Sequence, residues 1–290
     1  MGKYVIMTDS SCDLSEEYIK EHGLDVLNLL YNMDGTIYGE DKTMDIKEFY
    51  AKMRGGSMPT TMAVNPEDVA NAMRRHLEQG EDILYIAFSS GLSASCQNAV
   101  LGANDVRDEF PDRKIIVVDS LCASMGQGLF VHYALKRQAE GMSLEENTAW
   151  LEENRNNICH WFTVDDLDFL KRGGRISPAI AWIGGKLKIK PVLRIAEDGT
   201  LAIMEKVRGS KAALNYISGK YTSIPENYDP EYPYVFLCHG DAQEQAEKLK
   251  ADILAAMPQA QVVIMPMSPI IGVHTGPGVQ AVIYYGKNRA

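Results

Sequence analysis

Hydroxyl-rich turns stand where three apolar runs end: Thr8-Asp9-Ser10-Ser11, Ser89-Ser90-Gly91 and Asp119-Ser120. In open α/β sheets, ligands bind outside the carboxyl ends of the strands. Ser89-Ser90-Gly91 is the most informative, because it falls between a predicted strand and a predicted helix. Free backbone N–H groups and hydroxyls at such a junction can hold an anion. The same residues also suit a structural task, with Ser90 or Ser93 capping the helix. A second feature is His274-Thr275-Gly276-Pro277-Gly278. Two glycines and a proline fix a tight turn of low entropy, and the histidine before it can donate to an anion or hold a nearby hydroxyl. A lone histidine of this kind can equally be a packing residue.

Complete catalytic sets are harder to find. Gly91-Leu92-Ser93-Ala94-Ser95 falls one residue short of G-x-S-x-G, because Ser95 stands where the second glycine is needed. Ser93 or Ser90 with His274 as base is the alternative reading, a serine esterase or acyltransferase, but no acidic partner for the histidine can be assigned. There is no G-x-x-x-x-G-K-[ST] and no G-x-G-x-x-G, which argues against a P-loop nucleotide site and a Rossmann dinucleotide site. Five scattered cysteines without a C-x-x-C pair, and six dispersed histidines without H-E-x-x-H, argue against a disulfide framework or a metal centre. A reducing cytoplasm is the expected compartment, and no cofactor is expected.

The chain has 290 residues and a formal charge of −10, so nucleic acid is not an expected partner. That charge is unevenly spread. Between Lys171 and Lys211 ten basic residues face three acidic ones, a balance of +7 that leaves −17 for the remainder. Such a run is either a solvated face or a docking surface for an acidic or phosphate-bearing partner. No apolar run approaches the roughly 18–20 residues that span a bilayer. The 14 methionines suit a lipid pocket or an ordinary core equally well.

The elements that must position these residues change character along the chain. Tyr4–Thr8, Val26–Tyr31, Ile83–Phe88 and Ile115–Val118 read as strands. Between them lie predicted helices after Ser15, after Asp45, over Glu67–Glu78 behind Asn65-Pro66, from about Ser93, and over Met125–Ala139. Alternation of this kind indicates βαβ units and a parallel sheet. From about residue 160 the pattern is mixed: strands at Trp161–Val164, Tyr234–Cys238, Val262–Pro266 and Ala281–Tyr285, helices over Asp166–Arg172 and about Ala242–Met257. Leu187–Ile195 and Leu201–Val207 flank Asp198-Gly199, a strong hairpin signal. The expectation is a parallel-sheet α/β domain over 1–159 and a mixed α+β domain over 160–290.

The ordered set Thr8-Asp9-Ser10-Ser11-Cys12-Asp13-Leu14, Pro59-Thr60-Thr61, Ser89-Ser90-Gly91-Leu92-Ser93, Asp119-Ser120, Gly173-Gly174-Arg175-Ile176, Lys190-Pro191-Val192-Leu193 and His274-Thr275-Gly276-Pro277-Gly278 closely resembles the DegV family, from residue 4 to about 286. The resemblance implies two α/β domains with a long-chain fatty acid in a tunnel between them. It implies a carrier rather than an enzyme, the acyl-holding subunit of a bacterial fatty acid kinase. A separate ATP-dependent kinase would phosphorylate the bound carboxylate to acyl phosphate for phospholipid synthesis. Carried over, the carboxylate site is Thr61, Ser90 with Ser89 and Ser93 beside it, and His274 with Thr275. Arg175 and Arg208 would belong to the kinase-facing surface. The family usually follows the loop threonine with serine and glutamine, where this chain has Met62 and Ala63, so one hydroxyl and one amide are missing near the implied head-group site.

Overall fold

The computed structural model describes residues 3–177, 189–287 and 289 of the chain. It divides into two compact units, one of residues 1–30 with 61–155, the other of residues 31–60 with 156–290.

In the first unit, β1 (Tyr4–Asp9), α1 (Glu16–His22) and β2 (Asp25–Leu27) come first. The chain then leaves through β3 (Leu30–Met33), β4 (Thr36–Tyr38) and α2 (Ile46–Arg54), and comes back at β5 (Thr60–Met62). The first unit resumes with α3 (Pro66–Leu77), β6 (Asp82–Ala87), α4 (Ser95–Arg107), β7 (Ile115–Asp119), α5 (Met125–Ala139) and α6 (Leu144–Asn154). Its sheet is four-stranded and wholly parallel, in the order β2-β1-β6-β7. All but one residue of β1 and all but one of β6 are buried. This is why both read as continuous apolar runs without alternation: helices cover both faces of a parallel sheet. Pairing of Thr8 with Ile86 and of Ala87 with Asp119 brings the carboxyl ends of β1, β6 and β7 to one edge. The three hydroxyl-rich turns therefore emerge side by side.

Sequence patterns account for most of the local structure. The Ser15 hydroxyl accepts the Tyr18 N–H, and Gly23 in the left-handed region ends α1. Asn65 accepts the Glu67 N–H, with Pro66 opening α3. The expected strand Val26–Tyr31 is instead two strands, β2 and β3. The Leu29 N–H between them is taken by the Ser10 hydroxyl at 2.9 Å, a side-chain partner standing in for a ladder bond. Helix α6 has no counterpart among the expected helices, although Ser143 and Glu146 form a full capping box.

The second unit contributes β8 (Ile158–Thr163), α7 (Asp168–Arg172), β9 (Ile189–Ile195), β10 (Leu201–Arg208), α8 (Ser210–Thr222), β11 (Tyr234–His239), α9 (Gln243–Ala256), β12 (Gln261–Pro266), α10 (Pro269–Thr275) and β13 (Gln280–Tyr285). A six-stranded mixed sheet runs β10-β9-β8-β13-β11-β12, antiparallel except for β11 with β12. Trp161, Val192, Leu237 and Val282 from the sheet pack with Ile217 of α8 and Leu249 and Ile253 of α9 in one core. The fold is thus α/β, with a parallel N-terminal sheet and a mixed C-terminal one.

The β9–β10 hairpin turns where Asp198-Gly199 predicts. The Asp198 carboxylate accepts the Thr200 N–H and hydroxyl, and Gly199 has φ +78°. The first two residues of the expected strand Leu187–Ile195 lie outside the described residues, as do Lys186 and Lys188 of the basic segment. Two contacts explain why residues 31–60 group with the later half of the chain. The Tyr50 hydroxyl donates to the Met267 carbonyl at 3.1 Å, and Arg54 clasps Asp241 through its carboxylate and its backbone oxygen.

Candidate functional site

The serine loop follows β6 at the carboxyl edge of the parallel sheet, and its backbone N–H groups are engaged. Ser89 N–H donates to the Cys122 carbonyl at 3.0 Å and Ser90 N–H to Asp119 Oδ1 at 3.2 Å. Gly91 N–H goes to Ser89 Oγ at 3.2 Å, and Leu92 and Ser93 N–H both go to the Ser89 carbonyl. The expectation of free N–H groups here is therefore corrected: the amides from 89 to 93 hold the loop's own shape. What the loop offers a ligand is hydroxyls. Ser90 is exposed, whereas Ser89 is wholly buried. Ser93 is half-buried; its Oγ accepts the Ser95 N–H at 3.1 Å and lies 3.0 Å from Ser95 Oγ, so it helps start α4.

Thr61 lies in the middle of β5, half-buried between two exposed neighbours, Thr60 and Met62. The segment just after it is fixed to α4. Ser95 Oγ accepts the Val64 N–H at 3.4 Å, and Asn98 Nδ2 donates to the Val64 carbonyl at 2.8 Å. Both polar groups of the Val64 backbone are thereby tied to the first turn of α4, next to Ser93. Ser95 and Asn98 escaped the sequence reading as site residues. In sequence Ser95 registers only as the residue that spoils G-x-S-x-G, and nothing local marks its partner 31 positions earlier.

In the second unit, His274 and Thr275 form the last turn of the short helix α10 rather than the head of a free turn. The Thr275 hydroxyl donates to the Ile271 carbonyl at 3.1 Å, so its hydrogen is committed to the helix. Gly276, at φ +75°, stops α10; a Cβ there would fall within 2.7 Å of the Phe169 ring. Burial, with Arg175 nearby, pushes the His274 imidazole down to about 4. At neutral pH it is uncharged, with one ring nitrogen a donor and the other an acceptor. Arg175 Nη1 donates to the Gly173 carbonyl, and burial lowers the affinity of its guanidinium for the proton. Gly173, His274 and Arg175 thus form one packed node following α7.

Among the described residues, the basic segment is only partly neutralised by local pairing. Lys190 donates to Asp165 at 2.6 Å, Arg172 sits over the Phe169 ring, and Arg194 Nη1 donates to the Arg289 carbonyl. Lys206, Arg208 and Lys211 are exposed, Arg208 at the end of the edge strand β10. Among the described residues, no helix is long and apolar enough to cross a membrane.

The order of these motifs along two such sheets can be set against known proteins. A family model described as DegV matches residues 3–287. The chain belongs to the DegV family. A DegV domain-containing protein of Clostridium perfringens, CPE0026, is 38% identical over 291 residues, covering 100% of this chain and 99% of that one. Among solved structures, the chain is similar to a DegV family protein from Thermus thermophilus described for its fatty acid binding, at 32% identity and TM-score 0.86, over 98% of this chain and 99% of the other. It is also similar to DegV of Bacillus subtilis, described as a fatty acid binding protein, at 26% identity and TM-score 0.84, over 99% and 100%.

Proposed function

We propose that this chain binds a long-chain fatty acid and offers its carboxylate to a separate ATP-dependent kinase, with no reaction of its own. The observation that carries the fatty acid reading is the likeness to the Thermus thermophilus protein, near-complete in coverage and described for that ligand. Residue chemistry is consistent with it. The hydroxyls of Thr61, Ser90 and Ser93 are head-group candidates in the first unit, with Ser89 holding their loop. His274 is the candidate in the second. As a neutral imidazole it gives a carboxylate a hydrogen bond rather than an ion pair, which suits release to a partner. Each methylene removed from water adds about 0.8 kcal/mol, so the acyl chain supplies most of the affinity. The kinase-facing role is supported by the +7 segment, with Arg208 exposed on an edge strand and Arg175 beside the histidine.

Native mass spectrometry of the purified protein, before and after delipidation and reloading with palmitate, tests the first half. A chain that carries no acyl ligand and takes up none would sink it. The second half is tested with labelled ATP: transfer to the bound acid should require an added kinase protein. Transfer by the chain alone would overturn the carrier reading.

A further inference from the structure

At the carboxyl edge of the parallel sheet, four polar contacts run in series through side chains that water does not reach. Asp9 Oδ1 touches Ser11 Oγ, and Ser11 Oγ lies 2.9 Å from Gln127 Oε1. Gln127 Nε2 lies 2.9 Å from Thr8 Oγ1, which lies 2.8 Å from the Ile86 carbonyl. Thr8, Asp9, Ser11 and Gln127 each have no exposed surface, so no solvent hydrogen can complete the chain.

Each contact needs one hydrogen between its two atoms. The Ser11 hydroxyl supplies one, the Thr8 hydroxyl supplies one, and the Gln127 amide supplies one along the series. The fourth has no source unless Asp9 carries it. Turning the amide over does not help. Its oxygen would then compete with the Ile86 carbonyl for the single Thr8 hydrogen, and would face that carbonyl at the 3.4 Å now spanned by Nε2. With Asp9 protonated, every group has one role: Asp9 donates to Ser11, Ser11 to Gln127, Gln127 to Thr8 and Ile86, and Thr8 to Ile86.

We propose that Asp9 is held as a neutral carboxylic acid at neutral pH and is a positioning residue for the serine loop. Its Oδ2 accepts the Phe88 N–H at 3.2 Å, and its Oδ1 accepts the Ser11 N–H at 3.1 Å. Phe88 immediately precedes Ser89, so the acid pins the strand end from which the loop departs. Being uncharged, it adds no buried negative charge at the edge where a ligand carboxylate would sit; this consequence rests on the fatty acid reading. The titratable groups facing Asp9 are Cys12 of the turn after β1, Tyr85 of β6 and Cys96 of α4. Burial raises all three, so each is neutral and none supplies a cation to hold Asp9 ionised. Burial likewise pushes the Asp9 carboxyl upward, outweighing its hydrogen bonds from Ser11, Phe88 and Gln127.

The test is carbon NMR of the Asp9 carboxyl, assigned through bonds, in ligand-free protein from about pH 5 to about pH 8. The expected result is a protonated Cγ shift at pH 7. An ionised shift at pH 7 overturns the proposal, since an ordinary aspartate has already titrated by about pH 5. Palmitate affinity of the wild type should stay level while Asp9 is protonated and fall as it ionises; affinity indifferent to that ionisation overturns the positioning role. A protonated Asp9 in a protein that binds no palmitate would support the assignment and sink the fatty acid reading instead.

Discussion

Gly173 and His274 approach so closely that no side chain fits between them. A Cβ on Gly173 would fall on the Nδ1 of the imidazole and stand 3.2 Å from its Cε1. The glycine backbone itself is ordinary, at φ −68°, so the requirement is space and not conformation. Gly174 next to it shows the opposite: φ is +72° and a Cβ would meet nothing within 4 Å.

The two glycines therefore fail differently. Gly173→Ala must displace the His274 ring, at a cost of about 1–3 kcal/mol for overpacking. Fatty acid affinity should fall with it. Gly174→Ala should cost about 1 kcal/mol through backbone strain alone and leave the ring in place. Thermal unfolding together with palmitate titration checks both, and equal loss of affinity in the two variants would refute the distinction.

His274 also sets a pH window. Its folded value of about 4 lies below the ordinary 6.5, so the unfolded chain binds the proton first as pH falls. Stability from this group is complete above about pH 6.5 and is lost progressively down to about pH 4, by up to about 3 kcal/mol in total. His274→Gln should remove that part of the acid sensitivity. Proton NMR of the imidazole should show no titration between about pH 6 and 8, and a midpoint inside that range would contradict the buried, neutral ring.

Ser90 and Ser95 separate ligand contact from scaffold. The Ser90 side chain is exposed, so Ser90→Ala should leave the melting temperature unchanged while weakening palmitate binding roughly 10- to 150-fold, the worth of one hydrogen bond to a charged group. Ser95 is wholly buried and holds the Val64 N–H. Ser95→Ala should cost about 1–2 kcal/mol of stability by leaving that donor unpaired. A destabilised Ser90→Ala with unchanged affinity would reverse the two roles.

The sequence makes the sheets and helix caps legible wherever the cause is local. The apolar runs of β1 and β6, the Asn65-Pro66 start and the Asp198-Gly199 turn each depend on residues a few positions apart. The same holds for the order of the serine and histidine motifs. Distant partners are not legible. Nothing near Tyr50 or Arg54 indicates Met267 or Asp241, yet these contacts group residues 31–60 with the second unit. Of the free amides expected at Ser89–Ser93, those of Ser89 and Ser90 are taken by Cys122 and Asp119, which sequence places some 30 residues away. His274 reads as the head of a turn because Gly276-Pro277-Gly278 dominates the local pattern, whereas Pro269 opens a helix that ends at Thr275. Charge balance is readable as a total, but which cations are neutralised depends on pairs such as Lys190 with Asp165.

That last difference gives a test of the proposed kinase-facing surface. Arg208 is exposed at the end of an edge strand, so its side chain can be reversed in charge at little cost to the fold, within about 0.5 kcal/mol. Arg208→Glu should leave palmitate affinity unchanged and slow kinase-dependent phosphate transfer, and the loss should shrink as salt rises, because charge at an interface rim acts mainly on encounter. Lys190 is spent on Asp165, so Lys190→Ala should affect transfer much less. Measuring transfer from labelled ATP against kinase concentration separates the two: a higher half-saturating concentration with an unchanged plateau marks docking. A lowered plateau with unchanged half-saturation would place Arg208 at the reacting carboxylate and remove it from the partner surface.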